Sequence, residues 1–283
     1  MNISATIFDE DLADKNTRYV SLRKALESEE YKEATSPLSF PIGRNDDGKF
    51  VIADFHKLPH IIAGGQTGSG KSSFTEGALI ASLLYRNTPD DLKLILIDPK
   101  YVQFTQYNGI PHLLRPVITT PEAAKEAMEW LLGEMNERFD LLAKTGFNDI
   151  VEYNEANAEH LPYILYIVDE VSDLMMVDGQ YYESSFIKLL QRAKAVGIHL
   201  YIGTSRPSED VYSGILRANF VTSLAFTCAS EIDSEKLIYE GGAEKLLGRG
   251  DALFSTLDYS RPIHIQVPYV SDENIVSLAD SLK

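Results

Sequence analysis

One octapeptide limits what this chain can fold into: Gly65-Gln66-Thr67-Gly68-Ser69-Gly70-Lys71-Ser72. It fits G-x-x-x-x-G-K-[ST], a turn that joins a buried strand to a helix and wraps its backbone N–H groups around phosphate oxygens. The flanks agree. Leu58-Pro59-His60-Ile61-Ile62-Ala63 is a short apolar run that reads as a strand, and Ser73 to Leu84 reads as a helix. Glycines let consecutive N–H groups turn inward, and the helix starting near Lys71 adds its positive end. Lys71 supplies a charge for the terminal phosphates and Ser72 a hydroxyl for Mg²⁺. The eight residues Gly65, Gln66, Thr67, Gly68, Ser69, Gly70, Lys71 and Ser72 are the candidate nucleotide-binding set.

The rest of the chain alternates strand and helix. Tyr19 to Ala34 reads as a helix, closed by Thr35-Ser36-Pro37. Leu38 to Ile42 and Phe50 to Ala53 read as a hairpin around Asn45-Asp46-Asp47-Gly48-Lys49. Apolar runs at Leu92–Ile97, Tyr163–Val168, Ile198–Thr204 and Val221–Thr227 read as buried strands, with Ile263–Val267 as the last. Thr120 caps a helix that has Pro121 at its first position and ends near Thr145-Gly146. Met128 and Met135 fall on its apolar face and are read as packing. A polar helix is expected from Tyr182 to Val196. The pattern implies an α/β fold with a mainly parallel sheet and helices on both faces. Residues 1–16 read as a mobile lead-in, 17–56 as a small N-terminal α/β appendage, and 57–283 as the phosphate-loop domain.

Composition narrows the function classes. The 283 residues are 44% hydrophobic, enough for a substantial core. No apolar run approaches the roughly 20 residues of a membrane helix, and the N-terminus has no basic-then-apolar signal pattern. A single cysteine, Cys228, excludes an intramolecular disulfide and reads as a small core residue. The expectation is a cytoplasmic chain or the soluble part of a membrane-anchored one. A net charge of −16 opposes wrapping by nucleic acid, so any DNA contact must be local. His60, His112, His199 and His264 lack metal-ligand spacing and read as packing or hydrogen-bonding residues.

A second constellation completes a hydrolytic site. Asp169-Glu170 ends a buried strand about a hundred residues after the phosphate loop. A strand-end Asp there can hold Mg²⁺ through its water shell, and the adjacent Glu can orient the attacking water. Gly203-Thr204-Ser205-Arg206-Pro207 ends the next strand, where a polar side chain could sense the terminal phosphate.

With these residues in hand, the chain resembles the motor domain of the FtsK/SpoIIIE DNA translocases, from about Tyr19 to Val270. The resemblance is carried by Ser36-Pro37-Leu38, Leu58-Pro59-His60, Asp98-Pro99-Lys100, Ile110-Pro111-His112 and Val168-Asp169-Glu170. It continues through Gly197-Ile198-His199, Arg206-Pro207-Ser208, Ala218-Asn219, Ile232-Asp233-Ser234 and Gly248 with Gly250-Asp251. It implies a RecA-like P-loop ATPase core. It also implies a ring hexamer around double-stranded DNA, and ATP hydrolysis coupled to movement in chromosome partition or DNA transfer. By it, Lys71 and Ser72 hold phosphates and Mg²⁺, Asp169 holds Mg²⁺, and Glu170 activates water.

Several positions depart from the family pattern. Ser205 stands where a Gln usually senses the γ-phosphate. Lys194 occupies the register of an interface arginine, with Arg192 two residues earlier as the remaining catalytic candidate in trans. Lysine lacks the bidentate fork of arginine. Arg217 keeps a basic residue expected to face DNA, whereas Glu231 and Glu235 replace bases around Ile232-Asp233-Ser234, which predicts weaker DNA loading. Neither membrane helices nor a winged-helix segment is visible, so the resemblance predicts a fragment or a compact stand-alone form. Two alternatives are a related secretion-type ATPase acting on protein, and a slow nucleotide-gated scaffold.

Overall fold

The computed structural model describes residues 19–283; the expected lead-in at 1–16 lies outside them. The chain opens with β1 (Val20–Ser21), α1 (Leu22–Leu26) and α2 (Glu29–Glu33). The single helix expected over 19–34 is therefore two short ones. Ser28 separates them: its hydroxyl donates to the Ala25 carbonyl and accepts from the Tyr31 N–H, ending one helix and capping the next. The hairpin follows as β2 (Ser39–Asn45) and β3 (Phe50–Asp54), then β4 (His60–Gly64) leads into the phosphate loop.

The helix after the loop has three parts: α3 (Lys71–Ser73), a π-helical stretch (Phe74–Ala81) and α4 (Ser82–Arg86). Next come β5 (Leu92–Ile97), α5 (Pro121–Thr145), α6 (Ile150–Ala156) and β6 (Tyr163–Val168). The expected bounds of β5 and α5 hold. Thr120 Oγ accepts the Ala123 N–H, and Gly146 closes the helix at φ +81°. Met128 and Met135 are buried in the core, as read.

The helix α7 (Val171–Arg192) starts eleven residues before the expected Tyr182 and is broken at Asp178, with φ −152° and ψ 69°. The remaining elements are β7 (Ile198–Thr204), α8 (Gly214–Asn219), β8 (Ser223–Phe226), α9 (Glu231–Ile238), β9 (Asp251–Ser255), β10 (Ile263–Gln266), β11 (Pro268–Tyr269) and α10 (Asp272–Leu282).

Nine of the described strands form one sheet in the order β3-β2-β10-β9-β8-β4-β7-β6-β5, and β1 pairs in parallel with β11. From β8 to β5 the neighbours are parallel; from β8 to β3 they are antiparallel. The described residues 19–56 of the expected appendage thus join the same sheet through the pairing of β2 with β10. Its Leu22, Leu26 and Phe40 share a core with Phe74 and Leu83 of the phosphate-loop helix. Along β6 the pleat sends Leu165 and Ile167 into that core. Ile164, Tyr166 and Val168 point to the other face, where they pack with Met128 and Leu131 of α5 and Phe186 and Leu189 of α7. Helices on both faces leave only the strand ends open. The carboxyl ends of β4, β5, β6 and β7 line up along one edge, the crevice where parallel α/β sheets place their ligands.

Candidate active site

Neighbouring strand ends build the phosphate loop. The Gly65 N–H donates to the Thr204 carbonyl at the end of β7, at 3.1 Å, and the Gln66 N–H donates to the Thr227 carbonyl beyond β8, at 2.8 Å. Gly70 caps α3 with φ +106°, and a Cβ there would stand 2.2 Å from the Gly250 nitrogen, so glycine is required both by conformation and by space. The Gly250 N–H in turn donates to the Ser69 carbonyl at 2.8 Å. The loop is therefore held from the β7 and β8 ends and from the turn before β9.

Lys71 is buried and reaches across to β6. Its Nζ donates to the Asp169 carbonyl at 2.9 Å and lies 3.5 Å from Asp169 Oδ1. This crossing needs a glycine on β7: a Cβ on Gly203 would come 2.3 Å from the Asp169 carbonyl oxygen. Burial pushes the Asp169 carboxyl above its ordinary range, opposed by the Lys71 ammonium. Asp169 Oδ1 is buried with no hydrogen-bond partner among the described residues.

Glu170 caps α7 and is also buried. Burial alone would raise its pKa. Hydrogen bonds from Ser205 and Ser172, with the Lys71 charge, outweigh it and hold the carboxyl below its ordinary value. The Ser205 N–H donates to Oε2 and the Ser172 hydroxyl to Oε1, each at 2.8 Å. Lys100 Nζ lies 3.8 Å from Oε2. Ser205 is thus coupled to Glu170 through its backbone, a contact that its side-chain identity did not reveal.

All these groups line one cavity of about 400 Å³, together with Gly68, Gly70 and Ser72. Several of its residues had no sequence-based assignment. Tyr19 and Tyr269 line it with ring centroids 5.3 Å apart, brought together by the pairing of β1 with β11. Lys100 and Gln103 enter from the turn after β5, which Asp98 organises by accepting the Gln103 and Phe104 N–H groups at 2.7 and 3.2 Å. Arg249 enters from the turn before β9. Asp98-Pro99-Lys100 and Gly248 with Gly250 were legible as motif residues, but nothing local said which cavity they face.

Two expected site residues lie elsewhere. Arg192 closes α7 with its guanidinium 4.8 Å from the Phe139 ring centroid. It and Lys194 precede the amino end of β7 and border a second cavity, of about 500 Å³, with Asp149. β7 runs parallel to β4, so this edge is opposite the chain's own phosphate loop. Arg217 lies 3.9 Å over the Tyr239 ring and donates from Nη2 to the Glu235 carbonyl at 2.5 Å. Those contacts secure the end of α9.

The four histidines are hydrogen-bonded within the fold, as read. His60 Nδ1 accepts the Leu200 N–H, His199 Nδ1 faces the Pro59 carbonyl, His112 Nε2 the Asn87 carbonyl, and His264 sits between Asp46 and Asp251. Among the described residues no His, Cys, Asp and Glu group is suited to hold a metal by itself. Cys228 is buried. No helix among the described residues is long and apolar enough to cross a membrane.

A phosphate loop on the first of five parallel strands, with an acidic pair two strands away and a polar strand end between them, defines the P-loop ATPase class. The FtsK/SpoIIIE family model matches residues 21–209, and the chain belongs to that family. It is 42% identical to DNA translocase FtsK of Oceanobacillus iheyensis over 95% of this chain and 36% of that protein. It is 43% identical to DNA translocase SpoIIIE of Bacillus subtilis over 92% of this chain and 34% of that protein. The chain therefore spans about a third of the length of these curated relatives. Among solved structures, the pCW3 conjugation coupling protein TcpA, in monomer form with ATPγS, superposes with a TM-score of 0.79. The identity is 25%, over 95% of this chain and 75% of that one.

Proposed function

We propose that this chain is the ATP-hydrolysing motor of a double-stranded DNA translocase, working as a ring oligomer, a hexamer by family resemblance, in DNA segregation or transfer. One observation carries the reading. Lys71, Asp169, Glu170 and Ser205 converge in a single cavity, in a chain 42% identical to a DNA translocase.

ATP is the substrate that the loop fits. Lys71 neutralises charge on the terminal phosphates. Glu170, ionised at neutral pH, orients a water and accepts its proton as the oxygen bonds to the γ-phosphorus and ADP leaves. Two serine donors fix the carboxylate, which limits the orientations it samples. Mg²⁺ suits the hard oxygens present, the Ser72 hydroxyl and Asp169 Oδ1, which accepts no hydrogen bond among the described residues. Bound there, it would offset charge on the β- and γ-phosphates.

Arg192 and Lys194 lie at the strand ends opposite their own loop. That position favours service to a neighbouring subunit's nucleotide in a head-to-tail ring. Arg217 is the candidate DNA contact, and reaching a phosphate requires it to leave the Glu235 carbonyl. That cost, with Glu231 and Glu235 nearby, argues for weak loading with a shallow salt dependence, since few phosphate contacts are made.

A triplex-displacement assay tests the movement. With ATP, the protein is expected to strip a third strand from long duplex DNA, and Glu170→Gln is expected to leave it in place. Steady ATP hydrolysis with no displacement at any salt would sink the DNA reading and favour a secretion-type motor acting on protein.

A further inference from the structure

The turn Gly248-Arg249-Gly250 touches the phosphate loop, yet the mechanism above gives Arg249 no task. Its backbone is costly to hold. Arg249 adopts φ +56°, a left-handed conformation in which a residue with a Cβ is strained, between Gly248 at +77° and Gly250 at +87°. Three sets of contacts keep it there. The Gly250 N–H donates to the Ser69 carbonyl, and the Val267 N–H to the Gly250 carbonyl. Gln266 Nε2 donates to the Arg249 carbonyl at 2.9 Å. Asp251, which faces His264, accepts the Leu247 N–H at 2.8 Å. The turn is thus fixed by its backbone, while the Arg249 side chain is exposed and lines the 400 Å³ cavity beside Gly68, Gly70 and Ser72. Its guanidinium has no hydrogen-bond or ion-pair partner among the described residues.

The topology says which part of the nucleotide it meets. Glu170 follows β6, reached from β4 through β7; Arg249 precedes β9, reached from β4 through β8. The two residues approach the loop from opposite flanks, so the guanidinium is on the side away from the attacking water. We propose that Arg249 is a nucleotide-binding residue that pairs with the non-transferred phosphates, those that ATP and ADP share. The inference rests on the nucleotide site proposed above. A planar fork of N–H donors is suited to that task, and the strained but tightly held backbone presents it without rearrangement.

The test is calorimetric titration of ATP, ADP and GTP into the wild type, Arg249→Gly and Arg249→Lys. Glycine relieves the left-handed backbone, so Arg249→Gly is expected to melt no lower than the wild type. It is expected to lose about tenfold in affinity for all three nucleotides alike, with Arg249→Lys in between. Unchanged affinity in Arg249→Gly, or a loss confined to ATP, would overturn the assignment. So would a loss that follows a lowered melting temperature and is not recovered by lysine, since that marks a structural role. A wild type that binds no nucleotide overturns the underlying site as well, whereas a wild type that binds while Arg249→Gly binds equally well overturns this inference alone.

Discussion

Glu76 shows how burial, and not sequence position, sets the charge beside the site. It lies on the π-helical stretch behind Lys71 and accepts a hydrogen bond from Gln106 Nε2 at 2.9 Å. Burial, then the carboxylates of Asp272, Asp169 and Asp98, push its pKa up to about 8, from an ordinary value of 4.5. The folded state therefore holds this proton more tightly than the unfolded chain. The stability it confers is complete below 4.5 and is lost as pH rises through about 8. Glu76→Gln removes the titration, so its melting temperature should gain on the wild type between pH of about 5 and about 8.5; parallel curves would contradict this. The buried histidines act in the opposite sense. Burial, with Lys194 nearby, pushes His60 down to about 3, and burial also lowers His199. The folded state binds fewer protons there, so stability should fall as pH drops from 6.5 toward 3. His60→Asn is expected to flatten that acid limb in equilibrium unfolding, and an unchanged limb would exclude His60 as its source.

At the scale of elements, the approach of β7 to the end of β6 decides whether Lys71 meets Asp169. Gly203→Ala would put a Cβ 2.3 Å from the Asp169 carbonyl and 3.2 Å from Lys71 Nζ. Backbone must move, so the expected cost is about 1–3 kcal/mol, with weaker nucleotide binding. Gly133→Ala is the control: nothing lies within 4 Å of its Cβ in the middle of α5, so it should stabilise by about 0.5–1 kcal/mol. Denaturant titration of both variants checks the pair, and a Gly203→Ala variant as stable as Gly133→Ala would refute the steric account. These elements also divide what the sequence made legible from what it did not. The bounds of β5, α5 and β7 could be read because each is a long apolar or capped run whose signal is local. The phosphate loop, Asp169-Glu170 and the Gly203–Pro207 strand end could be read for the same reason. The early start of α7 was hidden by Asp178 and Gly179, which resemble a boundary but form a break inside one helix. The β1–β11 pair and the cavity faces of Tyr19, Tyr269 and Arg249 depend on partners distant in sequence. No local spacing encodes those contacts.

The whole molecule carries its nucleotide site on one edge of the sheet and Arg192 and Lys194 on the other. In a ring, that geometry predicts sharing. Mixing Glu170→Gln subunits with Arg192→Ala or Lys194→Ala subunits should then restore activity that neither variant has alone, because a subunit with an intact Glu170 can face a neighbour with an intact Arg192 or Lys194; independent sites would restore none. Mixtures no more active than their separate variants, for both pairs, would remove both as trans-acting groups. A net charge of −16 implies that duplex DNA is met by a small basic surface, and low salt is the condition in which to look for it. The central claim, a DNA-driven ATPase whose water is activated by Glu170, is tested most directly by steady-state ATP hydrolysis at low salt with and without long duplex DNA. The account predicts stimulation of the wild type by duplex. In Glu170→Gln it predicts a fall of about 10²-fold or more, with nucleotide binding retained. No stimulation at any salt, or a Glu170→Gln variant that turns over at the wild-type rate, would contradict it.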